Sequence, residues 1–203
     1  MPIFPLPNVV LFPGVFLPLH IFEPRYRNMI GDALKGDRLI GMVLLREMKN
    51  PTDEQFPSTY STGCAGLITH AEQLADGRYN VVLRGYEKFR IHAEDRQHSY
   101  RVADIESIPE PLSTGQQAVL QTSRQRMELL LDRRNKRSES ALPRDIPDVE
   151  LVNTLSQYLE FDPIEKQALL ESDGIISRCH ALIDLLQMHQ LISSQPNSLR
   201  SIQ

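Results

Sequence analysis

The chain has 203 residues, 41% of them hydrophobic and 24% charged, with 22 Lys and Arg against 26 Asp and Glu and a formal net charge of −4. That composition excludes collagen-like, low-complexity and wholly disordered chains, and its acidic balance supplies no bulk attraction to phosphate. A domain of this length buries roughly 70% of its unfolded surface, enough for a core without disulfides or metal. Cys64 and Cys179 form no C-x-x-C pair and suit a reducing compartment.

The first 22 residues carry no formally charged side chain, but Pro2, Pro5, Pro7, Pro13 and Pro18 interrupt them and no Lys or Arg precedes the apolar stretch. This argues against a signal peptide and against a membrane span. The expectation is a cytoplasmic protein with no membrane partner. Pro2 to Leu6 and Val15 to Ile21 read as short strands, separated by the turn pair Pro13-Gly14. Pro24 suits a first helical position, and Tyr26, Met29, Ile30, Ala33 and Leu34 follow on one helical face, with Gly36 as the expected C-terminal cap.

Leu39 to Leu45 predicts a buried strand, and Glu47 to Thr62 a long polar loop. Ala65–Ala75 and Arg78–Arg84 flank Asp76-Gly77, which predicts a hairpin with a type I′ turn. After Gly85, Phe89, Ile91 and Ala93 alternate with charged and polar residues as in a half-buried strand, and Tyr100 to Ser107 reads as one more. Six or so short strands and one helix suggest a closed or nearly closed barrel.

The remainder reads as helical. Ser113 and Thr114 each stand three residues before a Gln, as in a capping box. Leu120, Met127, Leu130 and Leu131 mark one helical face; Leu151, Leu155, Tyr158 and Leu159 mark another, after a polar linker from Asn135 to Pro147. Asp162-Pro163 opens a short helix carrying Leu169 and Leu170. Asp173-Gly174 breaks it, and Ile175, Cys179, Leu182, Ile183 and Leu186 form the last apolar stripe before a polar tail. The fold class is α+β, mainly β and then α: a small β-barrel with one short helix over 1–110, a helical bundle over 113–192, and a tail over 193–203.

The motifs of common enzymes are missing. Gly31 to Gly36 has the gap of a phosphate loop, but Asp37-Arg38 stands where Lys and Ser/Thr are needed. There is no G-x-G-x-x-G, G-x-S-x-G or H-E-x-x-H. No two of the six histidines lie within four residues, so no helix-borne metal pair exists, although His92 and His98 could meet across a strand turn. Cys179 and His180 point about 100° apart on a helix, and Cys179 fits the core. Arg133, Arg134, Lys136 and Arg137 form a basic cluster that reads either as a phosphate-contact patch or as a solvated helix end.

The stretch from Phe4 to Tyr26 (FPLPNVVLFPGVFLPLHIFEPRY) resembles the opening of the Lon protease N-terminal domain, in particular its stand-alone bacterial form. Gly63-Cys64-Ala65-Gly66-Leu67-Ile68, the region from Asp76 to Ile91, and Glu165 to Glu171 with Arg178 are similar to further parts of the family. The resemblance implies a PUA-like β-barrel followed by a helical bundle. It also implies a role in holding protein substrates. The ATPase and Ser–Lys peptidase of the family would lie in later domains, for which the chain up to Gln203 leaves no room, so no catalytic residue carries over and no cofactor or metal is implied.

The expectation is thus a non-enzymatic module for unfolded or extended polypeptides, with a protease or a chaperone as a further candidate partner. An extended ligand can add to a strand edge while pockets take alternate side chains. Phe12, Phe16, Phe22, Arg25 and Tyr26 are the candidate contact residues, each with the competing reading of a barrel-wall or helix residue. The alternative function is a PUA-like RNA-binding module using Arg133, Arg134, Lys136 and Arg137, which the acidic balance disfavours.

Overall fold

A computed structural model describes residues 1–46, 57–95, 97–134 and 146–194. The elements run β1 (Pro2–Leu6), β2 (Phe16–Ile21), α1 (Pro24–Ala33), β3 (Leu39–Leu44), β4 (Thr62–Gln73), β5 (Tyr79–Asp95), β6 (Arg101–Ile108), α2 (Thr114–Arg134), α3 (Asp148–Tyr158), α4 (Pro163–Glu171) and α5 (Gly174–Ser194). The fold is mixed α/β, with six strands and five helices.

The described residues group into two compact units, Met1–Pro109 with Asn153–Glu171, and Glu110–Val152 with Ser172–Gln203. The division at residue 110 read from the sequence follows chain order, whereas these units follow packing.

In the first unit the strand order is β2-β5-β4-β3-β1-β6, with a further pairing of β5 to β6. β1 and β3 pair in parallel, Ile3 opposite Gly41, and the other pairings are antiparallel. A closed barrel of short strands is therefore not the right description. β5 is 17 residues long, and β2 and β6 divide one of its sides between them. The sheet ends on β2, which pairs only with β5 among the described strands. The core gathers Ile3, Val43, Ala65, Phe89 and Ala103. The Phe89 ring fills the space left by missing side chains at Gly41 and Gly63, where a Cβ would come within 2.8 Å and 2.6 Å of it.

Gly85 does not end a strand, as the sequence pattern suggests; β5 continues through it with a bulge, since Gly66 pairs Gly85 while Ala65 pairs Glu87. The hairpin also differs from the expected type I′. Only Gly77 has positive φ (81°), Gly77 N–H donates to the Leu74 carbonyl, and Leu74 N–H donates to that of Arg78. This is a three-residue loop with the glycine in the left-handed region. At the end of α1 the left-handed residue is Arg38 (φ 60°) rather than Gly36.

In the second unit Ser113 opens α2 with the reciprocal bonds of a capping box, its N–H to Gln116 Oε1 (2.9 Å) and its Oγ from Gln116 N–H (3.4 Å). The stripe Leu120, Met127, Leu130 and Leu131 is buried, as are Ile175, Cys179, Leu182, Ile183 and Leu186 of α5. Met127 Sδ and Cys179 Sγ meet at 4.0 Å, and Gln190 donates to the Leu130 carbonyl. Fully buried Arg178 pairs with Glu110 at 2.7 Å. Arg124 binds Glu128, Asp148 and the Ile146 carbonyl. Among the described residues no helix is long and apolar enough to cross a membrane.

Candidate functional site

Phe12, Pro13, Gly14 and Val15 form a tight turn: Val15 N–H donates to the Phe12 carbonyl at 3.2 Å, and Gly14 takes φ 80°. Proline second and a left-handed glycine third are what a type II turn needs. Gly85 receives this turn. Gly14 N–H donates to its carbonyl and its own N–H donates to Val15, both at 2.8 Å. A Cβ on Gly85 would overlap the Phe12 carbonyl oxygen.

Three side chains from the second half of α3 then grip the turn and the residue after it. Asn153 Nδ2 donates to the Pro13 carbonyl (2.9 Å). Gln157, four residues on and so on the same face, accepts from Phe12 N–H (3.0 Å) and donates to the Phe16 carbonyl (3.0 Å). The Tyr158 hydroxyl donates to that same carbonyl at 2.6 Å. Tyr158, which the helical spacing groups with leucines, is 58% exposed and reaches the clamp through its hydroxyl.

The clamp presents the outer face of β2. Phe16, Pro18 and His20 alternate outward along the strand. Phe22 follows, its ring stacked on His20 at 6.5 Å between centroids. Phe16 is 48% exposed and Phe22 62%. The Arg84 guanidinium stands 6.0 Å from the Phe16 ring centroid. At about 3.3 Å per residue the strip from Phe16 to Phe22 is about 20 Å long. His20 is oriented by Asn80 Oδ1 at Nδ1 (2.8 Å) and by Arg78 at Nε2 (3.2 Å). Pro18 has no N–H, so main-chain pairing along this edge is interrupted at its centre.

The five residues singled out from the sequence separate accordingly. Phe16, Phe22 and Arg25 lie on the surface, whereas Phe12 (0% exposed) and Tyr26 (7%) are core residues. Tyr26 packs against Phe4 with ring centroids 4.3 Å apart, and burial pushes its hydroxyl pKa up. Arg25 is held between Glu23 (2.8 Å) and the face of Tyr26 (4.5 Å). The sequence marks none of Asn153, Gln157 and Tyr158 as part of a site: Tyr158 reads there only as a member of a helical face, and the two amides show only their four-residue spacing. Of the basic cluster, Arg133 and Arg134 fall in the last turn of α2, and Lys136 and Arg137 lie outside the described residues. His92 binds Glu106 at 3.2 Å and His98 stacks on Tyr100, so the two take separate partners.

Two solved structures share this fold. The N-terminal domain of Mycobacterium avium complex Lon protease superposes with a TM-score of 0.70 at 19% identity, covering 93% of this chain and 98% of that one. A Lon N-terminal domain protein from Xanthomonas campestris gives a TM-score of 0.60 at 23% identity, covering 97% and 98%. The architecture is thus that of a Lon N-terminal domain.

The model of the ATP-dependent protease La (LON) substrate-binding domain matches residues 1–188, and the chain belongs to that family. Among curated relatives, Lon protease 2 of Syntrophobacter fumaroxidans is 28% identical over 178 residues, which are 83% of this chain and 22% of that protein. Lon protease 1 of Hydrogenovibrio crunogenus is 29% identical over 204 residues, 94% and 25% respectively. The chain spans about a quarter of the length of these relatives.

Proposed function

We propose that the chain is a non-enzymatic recognition module for unfolded or extended polypeptides, and that the β2 strip is where they bind. The observation that carries this reading is a pair of exposed phenylalanines, Phe16 on an end strand and Phe22 just past it, with the start of that strand and the turn before it held by Asn153, Gln157 and Tyr158. An apolar strip held rigid in this way loses little conformational freedom on covering an extended ligand. With Pro18 interrupting the edge, side-chain contacts supply most of the affinity. Membership of a substrate-binding family supports the same reading. In this proposal the six-stranded sheet of the first unit is a PUA-like variant, α2 and α5 seed the helical bundle, and a cytoplasmic protease or chaperone receives the bound polypeptide.

The test is an anisotropy titration with a fluorescent, chemically unfolded polypeptide. Covering the exposed part of Phe22 removes about 100 Å² from water, worth ~2 kcal/mol. Phe22→Ser should therefore weaken binding roughly thirtyfold with an unchanged melting temperature. Affinity should hold nearly constant between about 50 and 200 mM salt, where binding through phosphate contacts would fall steeply. Equal affinity of wild type, Phe16→Ser and Phe22→Ser would refute the assignment. Tighter, salt-sensitive capture of single-stranded RNA would favour the nucleic-acid function instead.

A further inference from the structure

The β4–β5 hairpin links the β2 strip to a cleft in the same unit. Arg78 at its tip meets His20 of the strip at 3.2 Å, and the neighbouring Gly77 lines a cleft of about 350 Å³ between α1, the hairpin and the segment before β6. That volume lies within the range of ligand sites.

Gly31 forms part of its wall. Glycine is unfavourable inside a helix relative to alanine, and here packing does not demand it: a Cβ would meet only the Tyr79 hydroxyl, at 3.9 Å. The missing side chain leaves the cleft open.

The charges in the cleft do not cancel. Asp32 accepts from Lys35 (3.2 Å) and from the Tyr100 hydroxyl (3.0 Å), and these bonds hold its carboxyl below the usual range. Arg27 remains. Its guanidinium lies 3.4–3.6 Å from where a Cβ on Gly77 would stand. Among the described residues its hydrogen bond is to the Asp76 carbonyl, at a long 3.5 Å. A guanidinium carries five N–H donors in a planar fork that matches a carboxylate. Among the described lining residues this leaves one positive charge beyond the Lys35–Asp32 pair, which suits a monoanion better than a phosphate dianion. Beside it the stacked rings of His98 and Tyr100, 5.6 Å apart, form an aromatic wall.

Resting on the polypeptide-recognition reading above, we propose that this cleft receives the C-terminal carboxylate of the bound polypeptide, with Arg27 as its anchor and the His98–Tyr100 pair beside the terminal side chain. The β2 strip and the cleft then form one continuous track, in which the ligand's end is read by charge and the preceding residues by apolar contact.

The experiment compares one labelled, unstructured peptide with a free and with an amidated C-terminus. Amidation should weaken binding to wild type by about tenfold, the usual effect of losing a hydrogen-bonded charge. Arg27→Gln and Gly31→Leu should bind both forms as weakly as wild type binds the amide, with thermal melts showing both variants folded. N-acetyl-leucine, a small free carboxylate, should compete only at far higher concentration. Equal affinity for acid and amide overturns the proposal, as does displacement by N-acetyl-leucine at peptide-like concentration or by inorganic phosphate. If acid and amide bind equally and Phe22→Ser weakens both, the carboxylate assignment falls while polypeptide recognition stands. If neither form binds, both readings fall.

Discussion

Replacing Gly85 by alanine adds one methyl group where there is no room for it. The new Cβ would overlap the Phe12 carbonyl oxygen and stand 2.8 Å from the Phe12 carbonyl carbon and 3.2 Å from Pro13 Cα. All three are backbone atoms, so no rotamer change relieves the contact. The turn must move away from β5. That breaks the two 2.8 Å bonds linking Gly85 to Gly14 and Val15, and draws Phe12 N–H away from Gln157. At about 1 kcal/mol per bond the loss is ~3 kcal/mol, partly offset by up to ~1 kcal/mol from a stiffer unfolded chain. For a chain of this length each kcal/mol shifts the melting temperature by about 2–4 °C. Gly85→Ala should therefore melt about 5–10 °C below wild type by circular dichroism, and should lose affinity for unfolded polypeptide as the strip shifts. Gly115→Ala is the control: nothing lies within 4 Å of its new Cβ in the first turn of α2, so its melting temperature should stay level or rise slightly. A Gly85→Ala protein melting within about 2 °C of wild type would refute the reasoning.

Gln157→Leu keeps the bulk but removes both ends of a buried amide bridge, leaving Phe12 N–H without this acceptor and the Phe16 carbonyl with Tyr158 alone from the clamp. It should cost about 2–3 kcal/mol, read as a lower urea midpoint at unchanged slope. Cys64 and Cys179 are both buried and outside any disulfide, and burial pushes the Cys179 thiol pKa up against a smaller opposing effect of Ser123. A thiol reagent at mildly alkaline pH should therefore modify neither until the protein unfolds, with reaction tracking the denaturation curve; rapid modification of the native protein at Cys179 would contradict the packing.

What the sequence displays is local periodicity and local capping. β1 and β3 are short runs of apolar residues and lie where those runs lie. The i, i+3, i+4, i+7 stripes of α2 and α5 are buried as their spacing requires. Asp162-Pro163 opens α4, with Asp162 N–H bonded to Glu165 Oε2. What it does not display is contact at long separation. Gly85 looks like punctuation until Phe12 is brought against it. The β2 strip depends on bonds from α3 to residues 140 and more positions earlier, and no spacing rule links Gln157 to Phe12. The same limit applies to the aromatic residues. Their type marks Phe12, Phe16, Phe22 and Tyr26 as noteworthy, but only their places in the fold, Phe12 in the turn set against Gly85, Phe16 on the outer face of β2, Phe22 just past it and Tyr26 on the buried face of α1, decide that two are exposed and two are core. The closed barrel failed for a related reason: a pattern of strands does not reveal that one of them, β5, is long enough to serve three neighbours.

That the first unit is interrupted in sequence by residues 110–152 has a consequence during synthesis. The six strands can emerge and pair before α3 exists, but the turn at Pro13-Gly14 then lacks its amide bridge and the aromatic strip has no fixed geometry. A nascent chain would carry an assembled sheet with an unlatched β2 face, and on the proposed function would hold a polypeptide only once the segment around Asn153 to Tyr158 has left the ribosome and folded back. If the β2 strip binds as proposed, that function matures well after the strand itself has been translated.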